Sequence, residues 1–410
     1  MPHRMMPGFL HGKLTLALRR AVWIAVVALL CTGIQPRSAL EQSWLAGKQL
    51  KAIPAAEFAR MIRDFSEAGG YFRSDNLVSN ETAYLHVADK LKTPGDGRGA
   101  YIGVGPEQNF TYIAKIRPQI AFIVDIRRQA VIQHLMFKAI FHRAATRAQF
   151  LSLLFSKPVT GAGPGPDATA AELVAYFTRA DTDPGAFDKN LRAIAAILSQ
   201  DFHFPLDTRD RSMLDHVYTA FCRENLNVHY NVAGSGAGYR YRYGGFLNSW
   251  NYFPSFGDLI LETDLHGKPG NFLASRTDYE FVRSLHESNR ILPIVGDFAG
   301  AKALASVADY LRRNGYKVAA FYTSNVEQYL FENRVFDDFA RNVMLMPITE
   351  KSLFIRAYPN RRTPHPARIG NHGLTTLLQK MRVFLDDYRQ GMFPDYWTLV
   401  HTHYLALLPD

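Results

Sequence analysis

Two apolar rhythms alternate along this chain. Nearly unbroken apolar runs occur at AYIGV (100–104), IAFIV (120–124), RILPIV (290–295), KVAAFYT (317–323) and SLFIRAY (352–358). Runs this short, rich in β-branched and aromatic residues, predict strands buried on both faces. Between them the spacing changes to 3.6. Phe58, Met61, Ile62 and Phe65 share one face of a helix that opens after Pro54 and stops at Gly69-Gly70. ETAYLHVADKL (81–91), the segments 278–288 and 302–313, and VEQYLF (326–331) also read as helical. The run 127–155 is apolar nearly all round and predicts a buried helix or helix pair. Strands alternating with helices imply an α/β fold: a doubly wound, mostly parallel sheet with helices on both faces.

The pattern breaks once at length. From KPVTGAGPGPD (157–167) to about residue 275 the chain reads as an insertion, helical at first through 170–179, 187–198 and 212–221. It then becomes rich in Gly and aromatic residues. Strict alternation from Tyr239 to Tyr243 predicts an extended segment with Tyr239, Tyr241 and Tyr243 on one face. Those tyrosines are candidates for a substrate lip, or for a hairpin packed on the core. The implied organisation is a leader (1–38), a helical N-terminal cap (39–98), a first half-core (99–156), the insertion (157–275), and a second half-core with a C-terminal tail (276–410). In that tail WTLVHTHYLAL (397–407) alternates, so His401 and His403 would face one side of a strand.

Candidate chemistry gathers where the strands end. Gly103 and Gly105 form a tight turn after the first strand, and a helix opens at Pro106. Asp125 closes the second strand at the spacing at which a nucleotide-binding βαβ unit places a carboxylate on ribose hydroxyls. Asp297 and Phe298 follow the third strand, and Thr323, Ser324 and Asn325 end the fourth. In open α/β sheets ligands bind at such carboxyl ends. Glu327, just beyond, is a candidate base or a helix-start carboxylate.

The stretches YIGVGPEQNFTYIAKIRP, FIVDIRRQ, GNFLASRTDYEFVRSLHESNRILPIVGDFAG and FYTSNVEQYLF resemble an uncharacterised bacterial family with a class I S-adenosylmethionine-dependent methyltransferase core, which is Rossmann-like. The resemblance implies S-adenosylmethionine as cofactor, with Gly103 and Gly105 at its methionine portion and Asp125 on its ribose. Asp297 would meet the adenine amino group, Phe298 would stack on the ring, and Ser324 and Asn325 would orient an unidentified methyl acceptor. The chain departs from that pattern at Tyr101, where an acid usually precedes the first glycine, and at Glu107, which replaces the third. Two other readings stay open: an exported envelope or binding protein that keeps the fold without catalysis, and a nicotinamide-dependent oxidoreductase.

Composition changes this picture little. The 410 residues are 47% hydrophobic and 20% charged, with a net charge of +10. Arg4, Lys13, Arg19, Arg20 and Arg37, with no acid among residues 1–38, supply half of that charge. The remainder is mildly basic and carries no specific nucleic-acid signal. The basic start and the apolar run 21–31 predict a signal peptide or an uncleaved anchor, with membrane association through residues 15–34. The expected location is therefore periplasmic, secreted or membrane-anchored, and cytoplasmic if translation starts downstream. The only cysteines are Cys31 and Cys222, the second on a helical run where a small core residue is expected. His134 and His142 lack the companion ligands a metal would need. Gly-x-Ser-x-Gly, HExxH, Walker and CxxC motifs are absent from the sequence.

Overall fold

The apolar runs become strands β1 (Gly99–Gly103), β2 (Ile120–Asp125), β3 (Ile291–Val295), β4 (Lys317–Ser324) and β5 (Leu353–Pro359), joined by β6 (Leu374–Lys380). In this computed structural model, which describes residues 51–91, 99–232, 253–360 and 363–407, they form one sheet of order β3-β2-β1-β4-β5-β6. The first five strands are parallel, and β6 runs antiparallel to β5. Every residue of β1, β2 and β3 is buried, which is why these strands read as continuous apolar runs. The fold is doubly wound α/β. Its strand order reverses between β1 and β4, so a crevice is expected beyond their carboxyl ends. The segments 1–50 and 233–252 lie outside the described residues, and with them the leader, Tyr239, Tyr241 and Tyr243. Among the described residues no helix is long and apolar enough to cross a membrane.

Helix α1 (Ala55–Phe65) buries Phe58, Met61 and Ile62, with Phe65 stacked on Phe122 of β2 at 6.3 Å. Helix α2 (Gln108–Ile116) follows the glycine turn, and α3 (Arg128–Arg143) follows β2. The long apolar run resolves into α3 and α4 (Arg147–Phe155), broken where Ala144 becomes extended and Thr146 caps the next helix. The described part of the insertion adds α5 (Ala170–Arg179), α6 (Pro184–Gln200), α7 (Thr208–Glu224) and α8 (Phe256–Leu261). Capping boxes at Thr169 and Ser255 start two of these. Cys222 is buried on α7 with its thiol against Ser156. Helix α9 (Arg276–Glu287) returns the chain to β3, and α10 (Ala303–Arg313) leads on to β4. Helices α11 (Val326–Glu332) and α12 (Phe336–Met344) precede β5, while α13 (Met381–Arg389) and α14 (Tyr396–His401) close the chain.

Aromatic side chains fill both faces of the sheet. On one, the Phe110 ring meets Phe137, Phe141, Phe272, His134 and His286 at 5.2–5.6 Å. On the other, Phe298, Phe321, Phe339, Phe354 and Phe384 interlock.

Two segments take a different form from the one expected. Residues 81–91 form short 3-10 turns, Thr82–Leu85 and Ala88–Lys90, rather than a helix. Tertiary bonds win there: the Glu81 side chain turns inward to Tyr322 and Ser324, and Thr82 pairs with His372. The stretch carrying His401 is helical rather than extended, because Asp395 caps it and Tyr396, Leu399 and Val400 share a buried face.

Candidate functional site

The glycine turn is held from inside. Asn109 donates to the carbonyls of Val104, Gly105 and Pro106 at 2.9, 3.2 and 2.7 Å, and accepts from the Tyr101 hydroxyl at 2.9 Å. A Cβ at Gly103 would collide with Asn109 and the Tyr101 ring, so this glycine makes room for the protein's own side chains. Gly105 is different. Its φ of +77° demands glycine, and among the described residues no atom beyond its chain neighbours lies within 4 Å of where a Cβ would stand. Its carbonyl accepts from Nε2 of the buried His134 at 2.8 Å. Burial lowers that imidazole to a pKa of about 4, and its Nδ1 has no partner among the described residues. The helix begins at Gln108 rather than at Pro106.

Above this turn runs a strap, residues 66–81, across the carboxyl ends of four strands. The Ser66 hydroxyl accepts the Val295 N–H and the Glu67 N–H donates to the Val295 carbonyl at 2.9 Å, both at the end of β3. The Gly70 N–H donates to the Ile126 carbonyl at 2.8 Å beside β2, so close that any side chain at 70 would strike Ile126. The carbonyls of Ser74 and Asp75 accept from Arg127, and the Leu77 carbonyl accepts from Gln133. The strap ends over the strand-order reversal. There Oε1 of Glu81 accepts from Tyr322 at 2.6 Å and Ser324 at 2.5 Å, while Oε2 accepts from Gln108 at 3.1 Å.

The residues expected at the rim do share it. Asp125 pairs with Val295 across β2 and β3, and the Gly296 N–H donates to the Asp125 carbonyl at 2.9 Å, so Asp125 and Asp297 lie at the same end of the sheet. Their side chains are another matter. Asp125 is 4% exposed and gripped by Arg127 through both oxygens at 3.0 and 2.7 Å, with the Arg127 N–H at 2.9 Å. Burial would raise this carboxyl, but the guanidinium charge and its hydrogen bonds outweigh burial and hold it below the ordinary value. Asp297, half-buried, caps its own turn by accepting the Ala299 N–H at 2.9 Å. Phe298 points away from the rim into the core, 5.0 Å from Phe321 and 5.9 Å from Phe339, so it is not placed to stack on a ligand.

At the end of β4, Thr323 is fully buried and its hydroxyl donates to the Ile355 carbonyl at 3.4 Å. Ser324 is half-buried in the left-handed region at φ +53°, with Asn325 beside it. Glu327 is not an open base. It is fully buried and ion-paired to Arg356 of β5 at 2.8 Å, with Arg356 in turn lying over the Phe354 and Phe384 rings.

Beside the turn sits a second buried carboxyl. Glu107 is 2% exposed, accepts the Ser79 N–H at 3.4 Å through Oε1, and leaves Oε2 without a partner among the described residues. Burial raises it to about 8. Glu81, also buried, is raised for the same reason, against the pull of its three donors. Among the described residues no group of three or more His, Cys, Asp or Glu side chains is arranged to hold a metal.

Next to the strap, at the carboxyl ends of β2 and β3, a cleft of about 590 Å³ opens between residues 67–75, the start of α3 and the start of α7. Sequence reasoning missed both strap and cleft. Neither has a periodic signature, and the one local hint was Arg127, two residues beyond Asp125.

A family model described as "Domain of unknown function (DUF7790)" matches residues 76–196 and 257–395. The chain belongs to this family. The match spans more than half of the chain, including all six strands and part of the strap. None of the curated proteins matches the chain.

Proposed function

We propose that this DUF7790 chain is a small-molecule-binding protein that keeps a Rossmann-like scaffold without methyl transfer, and that its ligand enters the cleft beside β2 and β3. The observation that carries this reading is the strap. Its Glu81 fills the place over the strand-order reversal where a cofactor would lie, bonded to Tyr322, Ser324 and Gln108. The rim residues fit S-adenosylmethionine poorly. The ribose acid is taken by Arg127, the expected stacking ring is in the core, and the candidate base is paired with Arg356.

One feature favours the methyltransferase reading, the open left-handed Gly105 beneath the strap. Calorimetric titration of the chain with S-adenosylmethionine decides between them. No binding is expected. Micromolar binding that disappears in Asp125→Ala would restore the methyltransferase. The nicotinamide reading is weaker still. Beyond the reversal only β4 and β5 continue the parallel sheet before β6 turns antiparallel, and Arg127 is tied to Asp125 rather than free for a 2′-phosphate. We also propose export or anchoring through the leader, which cell fractionation with an antibody to the chain checks.

A further inference from the structure

The cleft's chemistry is lopsided in a way its formal charges conceal. Carboxylates and guanidiniums line it in equal number, yet the acceptors are largely used up by the protein itself. Glu67 accepts the backbone N–H groups of Lys302 and Ala303 at 2.8 and 2.5 Å. Asp75 accepts the Val232 N–H at 3.1 Å and pairs with His216. Asp210 is gripped through both oxygens by Arg128 at 2.9 and 2.8 Å, and Asp207 accepts the Asp210 N–H at 2.7 Å as the cap of α7.

The donors are not used up. Arg128 commits only Nε and Nη2, and Arg73 and Arg209 are exposed with no ion pair or side-chain hydrogen bond among the described residues. The free valence of the cleft is therefore donor valence, supplied mainly by two guanidiniums whose planar forks suit an oxyanion. Beside Arg73 stands Tyr71, 86% exposed, a large aromatic face on the wall of the same cleft. The volume of about 590 Å³ is that of a small-ligand site.

We propose that the cleft binds a phosphomonoester carried on a planar ring, of mononucleotide size, with Arg73 and Arg209 on the phosphate and Tyr71 against the ring. This rests on the reading of the chain as a binding protein.

The test is calorimetric titration of the full chain with adenosine monophosphate, adenosine and inorganic phosphate. Adenosine monophosphate is expected to bind, and to lose roughly tenfold in affinity for each guanidinium removed in Arg73→Ala and Arg209→Ala. The unfolding midpoint should stay unchanged, because neither side chain holds the fold. Inorganic phosphate should compete, and affinity should fall as salt rises. Adenosine binding as tightly as its monophosphate, with loss in Tyr71→Ala, would overturn the oxyanion while leaving a binding protein. Undiminished binding of the monophosphate in the double variant, or no binding of it at all, would overturn the assignment. Tight S-adenosylmethionine binding that depends on Asp125 would instead overturn the reading beneath it.

Discussion

Replacing Glu107 by glutamine should change the pH dependence of stability in a calculable way. This carboxyl is 2% exposed, accepts a long hydrogen bond from the Ser79 N–H, and is pushed up to about 8 in the folded chain against an ordinary value of 4.5. The folded pKa lies above the unfolded one. Its contribution is therefore fully present below 4.5 and is lost as pH rises toward 8, because unfolding releases a proton throughout that window. The slope is about 1.4 kcal/mol per pH unit, so two units inside the window amount to roughly 3 kcal/mol. Glu81, also raised by burial, slopes the same way, while other buried groups slope the opposite way. Lys138 is lowered by burial to about 7, and the buried imidazoles are lowered too. The quantity to measure is therefore the difference between Glu107→Gln and the parent. Urea unfolding of both at pH 5.5 and 7.5 should show the variant gaining about 3 kcal/mol on the parent between the two pH values. The buried amide of glutamine adds a cost of ~1–3 kcal/mol, but that cost is the same at both pH values. A difference that stays constant with pH would refute a protonated, buried Glu107.

Further expectations follow from the same geometry. Phe298→Ala should lower stability by about 3–5 kcal/mol in thermal or urea unfolding, because it opens a cavity among Phe321 and Phe339; a ring kept for stacking on a ligand would cost far less. Glu327→Gln strands the Arg356 charge in the core and should cost about 3–5 kcal/mol, whereas an exposed catalytic base could be changed with little effect on unfolding. With both raised carboxyls removed, in Glu81→Gln/Glu107→Gln, stability should fall as pH drops from 6.5 toward 4, since His134 and His286 are held neutral by burial and unfolding lets them take up protons. A flat urea midpoint over that range would contradict their burial.

Local periodicity carried the scaffold and little of the site. The strands were legible because both faces of a parallel sheet are covered, which leaves apolar runs with no polar alternation. The shared rim of Asp125 and Asp297 followed from that, since parallel strands linked by helices present the same end. What lies over the rim did not. The strap binds through backbone carbonyls, through Ser66 and Glu81, and through a glycine that tolerates no side chain beside Ile126, none of which repeats at any period. Phe298 shows the same limit: position after β3 was readable, but the direction of the ring was decided by Phe321 and Phe339, distant in sequence. Glu327 likewise reads as a helix-start acid until Arg356 arrives from the next strand.

Amide hydrogen exchange across residues 66–81, with and without millimolar S-adenosylmethionine, tests most directly whether the strap seals the crevice. The Glu67, Gly70 and Leu77 amides donate to Val295, Ile126 and Tyr230, and they should exchange about as slowly as those of β2 and β3, with or without the cofactor. Rapid exchange at these amides, or a change confined to them when S-adenosylmethionine is added, would contradict a sealed crevice.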